Sequence, residues 1–366
     1  MEQMYEYWLA CLKGIGSERK RWLKEQAGTA RDLYYIEETE RGKPILVNDA
    51  ERKAIEAGRK SWNLKQEYDK LKQAGVRMVI KGEPEYPKRL RSLTGMPYAL
   101  YVKGELPGEE GLTAAIVGAR RCTAYGETMT LEIAERLAEC GIQIISGMAR
   151  GIDGAAHRGA LNAEGSTYAV LGCGPDVCYP REHRGLYQDL LKRGGILSEL
   201  PPGTPPLPQH FPARNRIISG LSDLVLVMEA REKSGSLITA DQALEQGRDV
   251  YALPGPVNSS LSRGCHELIR QGAGIITGAA DLLEDLGVLQ KNPCPKRKKK
   301  TKETKIMLES AENLVYSNLG LFAKNQEELS RLTGLAPSEL AKVLVSLELK
   351  GYIEERSKNY YVRRVK

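Results

Sequence analysis

From residue 76 onward, short apolar runs alternate with amphipathic stretches along the chain. The amphipathic stretches have helical spacing at 126–140, 154–163 and 236–247, and the apolar runs predict strands at 76–80, 113–117, 142–145, 167–171, 195–200, 224–228, 249–253 and 274–277. Near-continuous apolar strands separated by amphipathic helices are typical of a parallel sheet covered on both faces. The pattern therefore predicts an α/β fold with a doubly wound sheet over residues 76–290. Ligands of such sheets bind beyond the carboxyl ends of the strands.

The first 75 residues are polar and helix-like, and they predict a separate helical domain. The phrase Lys13-Gly14-Ile15-Gly16-Ser17 lies between two amphipathic runs. It is similar to the hairpin of helix-hairpin-helix or SAM-like modules, whose backbone N–H groups face a phosphate. A plain helix–helix turn explains it more simply, because glycine commonly ends helices.

The last segment, 306–366, predicts a winged-helix domain. Helical patterns at 306–316, 325–332 and 337–350 precede a β-hairpin pattern at the chain end. The third helix carries Lys342 and Lys350 against Glu339 and Glu348, so it lacks the basic face of a groove-reading helix. A contact with protein is therefore at least as consistent with this helix as binding to duplex DNA.

The positive charge is concentrated in one linker. The chain has 54 basic and 47 acidic residues, and segment 291–305 holds eight of the basic and one of the acidic residues. The linker therefore carries the whole net charge of +7, while residues 76–290 carry 22 basic and 25 acidic residues. An anion site in the α/β domain must be built locally. The 17 arginines among those 22 basic residues favour planar recognition of phosphate.

Other bulk features narrow the function classes. Apolar runs are too short for a membrane helix, and the N-terminus has no signal-peptide pattern, so a cytoplasmic protein is expected. The seven cysteines form no C-x-x-C pair or Cys/His cluster, so neither a metal nor another cofactor is predicted.

Glycine-containing loops follow several of the predicted strands. They are Gly118-Ala119-Arg120-Arg121, the loop from Ser146-Gly147 to Asp153, Gly172-Cys173-Gly174-Pro175, Ser234-Gly235-Ser236 and Pro254-Gly255-Pro256. A Ser/Gly turn that opens a helix presents free N–H groups to an anion, and guanidinium groups bind phosphate in bidentate fashion. With Arg120 and Arg214-Asn215-Arg216 nearby in the sequence, these loops predict one phosphate-binding site. None of them is a G-x-G-x-x-G or Walker loop.

Acid–base catalysis has weak support. Asp153 and His157 lie four residues apart and would share one face of a helix. No nucleophile or metal-ligand set accompanies them, so a helix-capping aspartate and a histidine bonded to a neighbour are the favoured roles. A binding protein without turnover is predicted.

The phrases AAIVGAR, SGMARGIDGAAHRGAL, FPARNRIISGLS and EAREKSGSLITADQALEQGRDVYALPG resemble a bacterial family, DNA-processing protein A (DprA, also called Smf). The resemblance implies an extended Rossmann-like core that binds single-stranded DNA and dimerises. It also implies a non-catalytic role in which the protein protects incoming DNA in natural transformation and helps to load the RecA recombinase in recombination. By the same resemblance, the DNA-binding residues would be Gly118, Arg120, Ser146, Gly147, Gly174, Arg214, Asn215, Arg216, Ser234, Gly235, Ser236 and Thr239.

Two positions depart from the family pattern, His183 and His266, where asparagine is usual. Stacking of bases would rest on few aromatic residues, with Tyr179 and Phe211 as the nearest candidates. Two alternatives to a DNA-binding mediator remain. One is a nucleotide-processing enzyme similar to the phosphoribohydrolases, although their Pro-Gly-Gly-x-Gly-Thr loop does not occur in this sequence. The other is a structural adaptor that acts through the winged helix.

Overall fold

The computed structural model describes residues 1–35, 47–288, 310–320 and 323–363. The predicted basic linker, 291–305, and the first residues of the predicted helix 306–316 lie outside these ranges. In the described ranges, no helix is long and apolar enough to cross a membrane.

A mixed nine-stranded sheet forms the centre of the chain. In the order β1-β2-β6-β5-β4-β3-β7-β8-β9, its strands are β1 (Arg77–Ile80), β2 (Ala99–Gly104), β3 (Thr113–Val117), β4 (Gln143–Ser146), β5 (Thr167–Leu171), β6 (Gly194–Ser198), β7 (Leu224–Val227), β8 (Asp249–Ala252) and β9 (Gly274–Ile275). All pairings from β6 to β9 are parallel, as the apolar pattern predicts. The α/β fold class is therefore confirmed.

Strand β2 was missing from the sequence-based prediction. It pairs antiparallel with β1 and with β6, so it joins an antiparallel edge to the parallel sheet. Its first four residues, Ala99 to Val102, are all buried. A continuous apolar run of this kind, PYALYV, is a strand signal that the sequence does contain.

Helices cover both faces of the sheet. They are α1 (Glu2–Cys11), α2 (Ser17–Ala27), α3 (Ala30–Tyr34), α4 (Asp49–Ser61), α5 (Leu64–Gln73), α6 (Lys88–Arg91), α7 (Ala124–Glu139), α8 (Ile152–Asn162), α9 (Arg184–Arg193), α10 (His210–Gly220), α11 (Gly235–Glu245), α12 (Arg263–Arg270) and α13 (Ala279–Asp285). A 3₁₀ turn, Arg181–His183, precedes α9.

Alternate residues of the same strands feed two separate apolar cores. Ala115 and Val227 pack with residues of α10, α11 and α12 on one face. Ala114 and Leu226 pack with residues of α7, α8 and α13 on the other. Because β3 and β7 are neighbours and their following helices, α7 and α11, cover opposite faces, a crevice opens between the ends of these two strands.

The N-terminal helices pack against the antiparallel edge of the sheet. Trp8, Leu9 and Leu23 share one core with Ile80 and Ala99. The turn between α1 and α2 contains Gly14, whose φ of 80° is left-handed and favours glycine. The structure thus has a helix–helix turn here, and its contact with phosphate stays untested.

The C-terminal elements have the predicted winged-helix layout. They are α14 (Ser310–Asn318), β10 (Lys324–Asn325), α15 (Gln326–Thr333), α16 (Pro337–Leu349), β11 (Ile353–Ser357) and β12 (Tyr360–Arg363). The three strands form a sheet in the order β10-β12-β11. Val315, Leu329 and Leu344 meet in its small apolar core.

Candidate anion-binding site at the sheet switch point

The crevice between the ends of β3 and β7 holds a cavity of about 590 Å³. Loops after these two strands form its walls, together with the start of α8 and the segment that leads into α10. Eight of the twelve predicted site residues line it: Gly118, Arg120, Arg214, Asn215, Ser234, Gly235, Ser236 and Thr239. Gly147 lines an adjoining cavity of about 240 Å³.

Three exposed arginines make this crevice basic. Arg120 and Arg121 follow β3, and Arg231 follows β7. In the part of the chain that the structure describes, none of the three forms an ion pair with a carboxylate. Their guanidinium groups are therefore available to a ligand. Arg121 and Arg231 were not among the predicted site residues, although Arg121 belongs to the loop after β3 and Arg231 lies just before the Ser234 turn.

An aromatic pair lies beside Arg120. The guanidinium carbon of Arg120 is 5.2 Å from the ring centroid of Phe211. That ring in turn lies 5.7 Å from the ring of Tyr179, with 37° between their planes. Tyr179 is 39% exposed, so one side of the pair is open to a flat ligand. The three side chains line both cavities and so mark where these meet.

The N-terminus of α11 forms the opposite wall. No side chain caps this helix at Ser234, whose hydroxyl instead bonds with the hydroxyl of Ser236. A Cβ added at Gly235 would meet open space, so the first turn is accessible. Asn215 Nδ2 donates to the carbonyl oxygen of Gly235 at 3.1 Å and links this wall to α10. Uncapped N–H groups and the helix dipole favour an anion here.

Arg214 is buried and bonded to the backbone, so it has a structural role. It is 7% exposed, and its Nη1 donates to the carbonyl oxygen of Gly147 at 3.0 Å and to that of Val170. Burial lowers the pKa of Arg214 to about 10, so the guanidinium remains charged at neutral pH. Gly147 makes room for this group, since an added Cβ would lie 2.5 Å from Nη1. Arg214 thus joins α10 to the ends of β4 and β5 beneath the cavity.

Arg216, which the sequence predicts in the same phosphate-binding site as Arg214, lies outside both cavities in this structure, and its contact with DNA stays a prediction. Its Nη2 pairs with both carboxylate oxygens of Glu199, at 2.8 and 2.6 Å, and it lines neither cavity. The reason is geometric, because residues two apart on a helix point in nearly opposite directions. The segment 210–220 is helical, which the sequence analysis did not predict.

Three other predicted residues serve packing in this structure. The Ser146 hydroxyl is fully buried and donates to the Ile116 carbonyl at 2.6 Å, so it ties β4 to β3. Gly174 lines neither cavity, and its N–H donates to the Thr204 carbonyl at 2.9 Å. A Cβ at Gly118 would lie 2.7 Å from the Ile152 side chain, so close packing against α8 requires glycine there.

Asp153 and His157 lie on α8 beneath the cavity. The Ala149 N–H donates to Asp153 Oδ2 at 3.3 Å, and burial raises the pKa of this carboxyl. His157 is fully buried with Nδ1 2.7 Å from the Thr167 hydroxyl, as the predicted bond to a neighbour requires. Gly151 occupies the N-cap position, so the predicted capping role of Asp153 is wrong in detail.

The two departures from the family pattern bond to backbone carbonyls. His183 Nδ1 is 3.1 Å from the Met148 oxygen, and His266 Nε2 is 3.0 Å from the Gly255 oxygen. Both side chains thus hold loops at strand ends.

Acidification is expected to destabilise the α/β domain through His157. Burial lowers the pKa of His157 to about 3, below its unfolded value of 6.5, so the folded state binds fewer protons. Its contribution to stability is present above pH 6.5 and is lost as the pH falls towards 3, by up to about 1.4 kcal/mol per pH unit. Urea unfolding at pH 7.5 and 5.5 measures this loss. The loss should be smaller in His157→Gln, and an equal loss in both proteins would contradict the assignment.

Comparison with known proteins identifies two family models in the chain. DNA recombination-mediator protein A matches residues 77–287, and the DprA winged helix domain matches residues 299–357. Protein Smf of Escherichia coli is 48% identical over 217 residues, which are 59% of this chain and 58% of that protein. The chain thus matches little more than half the length of this relative.

Two solved structures are similar to the fold. The crystal structure of DNA processing protein A from Streptococcus pneumoniae has a TM-score of 0.65 at 33% identity, covering 77% of this chain and 97% of that chain. The Helicobacter pylori protein, whose structure describes a single-stranded DNA binding mode, has a TM-score of 0.52 at 32% identity. The match covers 58% of this chain and 95% of the Helicobacter pylori chain.

Proposed function

The chain belongs to the DNA recombination-mediator protein A family, and from this premise we propose that it binds single-stranded DNA in the switch-point crevice. The observation that carries the proposal is the meeting of Arg120, Phe211 and Tyr179 at one crevice whose other exposed cations are Arg121 and Arg231. Arginines beside open aromatic rings fit a strand that offers both phosphates and unpaired bases.

Some residues of the crevice would contact phosphates, and others would hold those residues in place. Phosphates would contact Arg120, Arg121, Arg231 and the first turn of α11 at Ser234, Gly235 and Ser236. Asn215 would hold that turn in place through its bond to the Gly235 carbonyl, and Thr239 lines the same cavity. Contacts of this kind do not read sequence, so affinity should depend on salt more than on base composition.

In this proposal, six of the predicted residues shape the crevice and do not contact the strand. They are Arg214, Arg216, Gly118, Gly147, Ser146 and Gly174. Arg214 and Gly147 fix the base of the crevice by the hydrogen bond between them. Arg216 would reach a phosphate only by leaving Glu199, with which it pairs on both oxygens.

Membership of the family supports a proposal for the wider role. We place the protein in the cytoplasm as a mediator without turnover, which protects incoming single strands in natural transformation and helps to load RecA in recombination. A homodimer through the Rossmann-like domain would let one assembly hold two segments of a strand. His157 is buried with a lowered pKa, so it supports no acid–base step in the crevice.

Binding to a fluorescent oligo-dT across a salt series tests this function. We expect the dissociation constant to rise steeply with salt, with a logarithmic slope near 0.7 for each phosphate neutralised. A duplex of equal length should bind more weakly through the crevice, because its bases are stacked on one another. Absence of oligo-dT binding, or release of base from a nucleoside monophosphate, would overturn the proposal, and the second result would favour a phosphoribohydrolase-type enzyme.

Replacing Phe211 by alanine is expected to weaken oligo-dT binding by roughly five- to a hundredfold, because one stacked base contributes about 1–3 kcal/mol. The slope with salt should stay unchanged, since no charge is removed. Tyr360→Ala is the matched control, because Tyr360 is an exposed aromatic on β12 that lines neither cavity. Equal affinities of the two variants would exclude stacking on Phe211.

A further inference from the structure

A buried carboxylate lies at the floor of the crevice. Asp153 lines the larger cavity and is 7% exposed. The N–H of Ala149 donates to its Oδ2 at 3.3 Å, and the backbone N–H of Gly147 also stabilises its charged form. Among the residues that the structure describes, no basic side chain forms an ion pair with Asp153. The floor of an anion-binding crevice thus carries a negative group that no cation contacts.

This carboxylate has acceptor capacity left over. An ionised carboxylate offers about four lone-pair sites and no donor. The two backbone N–H groups occupy two of these sites, and the others are left for a donor that enters the crevice. Burial raises the pKa of Asp153, and the charges of Arg214 and Arg120 act against this rise. A donor in the ligand would act in the same direction as the two arginines, because it stabilises the ionised form.

Asp153 stands where the two cavities join. Its donor Ala149 lines both cavities, and Gly147 lines the smaller one. The aromatic pair of Tyr179 and Phe211 lines both cavities as well. The carboxylate and the open aromatic rings thus lie around the same small part of the crevice.

Phosphate is disfavoured at this floor and favoured at the walls. Like charges that lie close together in a site of low dielectric repel each other. The walls, by contrast, carry the exposed cations Arg120, Arg121 and Arg231 and the uncapped first turn of α11. A nucleotide in the crevice is therefore expected with its phosphate at the walls and its base at the floor.

Guanine is the base whose edge matches a carboxylate. Its Watson–Crick edge has two adjacent donors, N1–H and the N2 amino group, which can bond to the two oxygens of one carboxylate. Cytosine and adenine have an acceptor nitrogen beside their amino group, and thymine has a single N3–H between two carbonyl oxygens. Those acceptors would meet the oxygens of Asp153, which donate no hydrogen bond when ionised. Proteins that extrude a base read it along this edge while it stacks on aromatic side chains.

We propose that Asp153 accepts hydrogen bonds from a guanine of the bound strand and is the specificity-determining residue of the crevice. This recognition rests on the proposed binding of single-stranded DNA and adds to it a preference at one base position. The phosphate contacts stay independent of sequence, so every strand binds, and strands with guanine bind more tightly.

Three short single strands test this preference. One alternates thymine with guanine, and in the other two hypoxanthine or 2-aminopurine replaces every guanine. Hypoxanthine lacks the N2 amino group and 2-aminopurine lacks the N1–H, so each analogue removes one of the two donors. Fluorescence anisotropy in lithium buffer, which prevents four-stranded structures of guanine, measures the affinities. We expect the wild type to bind the guanine strand about tenfold or more tightly than either analogue, since one hydrogen bond to a charged group is lost.

Asp153→Asn removes the charge at nearly constant volume. An amide has one acceptor oxygen, and its N–H groups oppose the donors of guanine, so the preference over hypoxanthine should fall to about twofold or less. Glu229→Gln is the matched control, because Glu229 is a buried carboxylate that bonds to Thr123 and lines neither cavity. It should keep the wild-type preference. A purely structural Asp153 would lower the affinity for all three strands alike in Asp153→Asn, and an unchanged preference would overturn guanine recognition.

Guanine recognition and single-strand binding fail in different ways. Equal wild-type affinities for the guanine strand and either analogue would overturn guanine recognition and leave single-strand binding in place. Absence of binding to every strand would overturn both. Thermal melting checks that Asp153→Asn is folded. If it is not, the two analogues decide with the wild type alone, because a carboxylate uses both donors of guanine whereas a single backbone carbonyl uses only one.

Discussion

Replacing Arg214 by alanine is expected to lower the free energy of unfolding by about 3–5 kcal/mol. The buried guanidinium donates to the carbonyl oxygens of Gly147 and Val170, and its charge favours the ionised form of the buried Asp153. Alanine would leave two acceptors and one carboxyl without that partner. Urea unfolding at pH 7.5 measures the loss.

Arg216→Ala is the control, because Arg216 is two residues away on the same helix and pairs with Glu199 at the partly exposed surface. A pair of that kind contributes about 1 kcal/mol or less. Equal losses in the two variants would contradict the structural role of Arg214. If Arg214→Ala loses DNA binding, its stability must be measured as well, because an unfolded variant would also fail to bind.

Replacing Arg120 by alanine is expected to weaken oligo-dT binding by roughly ten- to a hundredfold, because a charged hydrogen bond to phosphate is worth about 1.5–3 kcal/mol. The logarithmic slope with salt should fall by about 0.7, as one phosphate contact is lost. Arg120 is exposed and has no carboxylate partner among the described ion pairs, so stability should hardly change. Fluorescence anisotropy across a salt series measures both quantities.

Arg158→Ala is the matched control for this experiment. Arg158 is an exposed arginine on α8 that lines neither cavity, so the variant removes the same charge at another place. Its affinity should stay within about twofold of the wild type, since charge far from the strand is screened. If Arg158→Ala loses as much affinity as Arg120→Ala, binding depends on overall charge and the crevice is not the site.

The parallel sheet and the place of the site could be predicted from the sequence. Apolar runs such as 113–117 and 224–228 are long and distinct, and strands of one sheet bring their carboxyl ends to one edge. The loops with Arg120 and Ser234 therefore had to meet. The same loops also bring Arg121 and Arg231 there, although no motif in the sequence singles out these two residues.

The direction of each side chain could not be predicted in the same way. Segment 204–212 is rich in proline, which hides the start of α10 at His210, and without that helix Arg214 and Arg216 look equivalent. Burial of Arg214 depends on carbonyl groups of Gly147 and Val170, which are 67 and 44 residues away in the chain. Only the packed structure brings such distant acceptors together.

The two walls of the crevice are supported by different apolar cores. The wall with Arg120 leads into α7, whose Ile133 and Leu137 belong to one apolar core, while the wall with Ser234 leads into α11, whose Ala240 and Ala243 belong to the other. A change of side-chain volume in one core therefore shifts one wall and leaves the other in place. The width of the crevice can thus evolve, or be engineered, through residues that never touch the ligand.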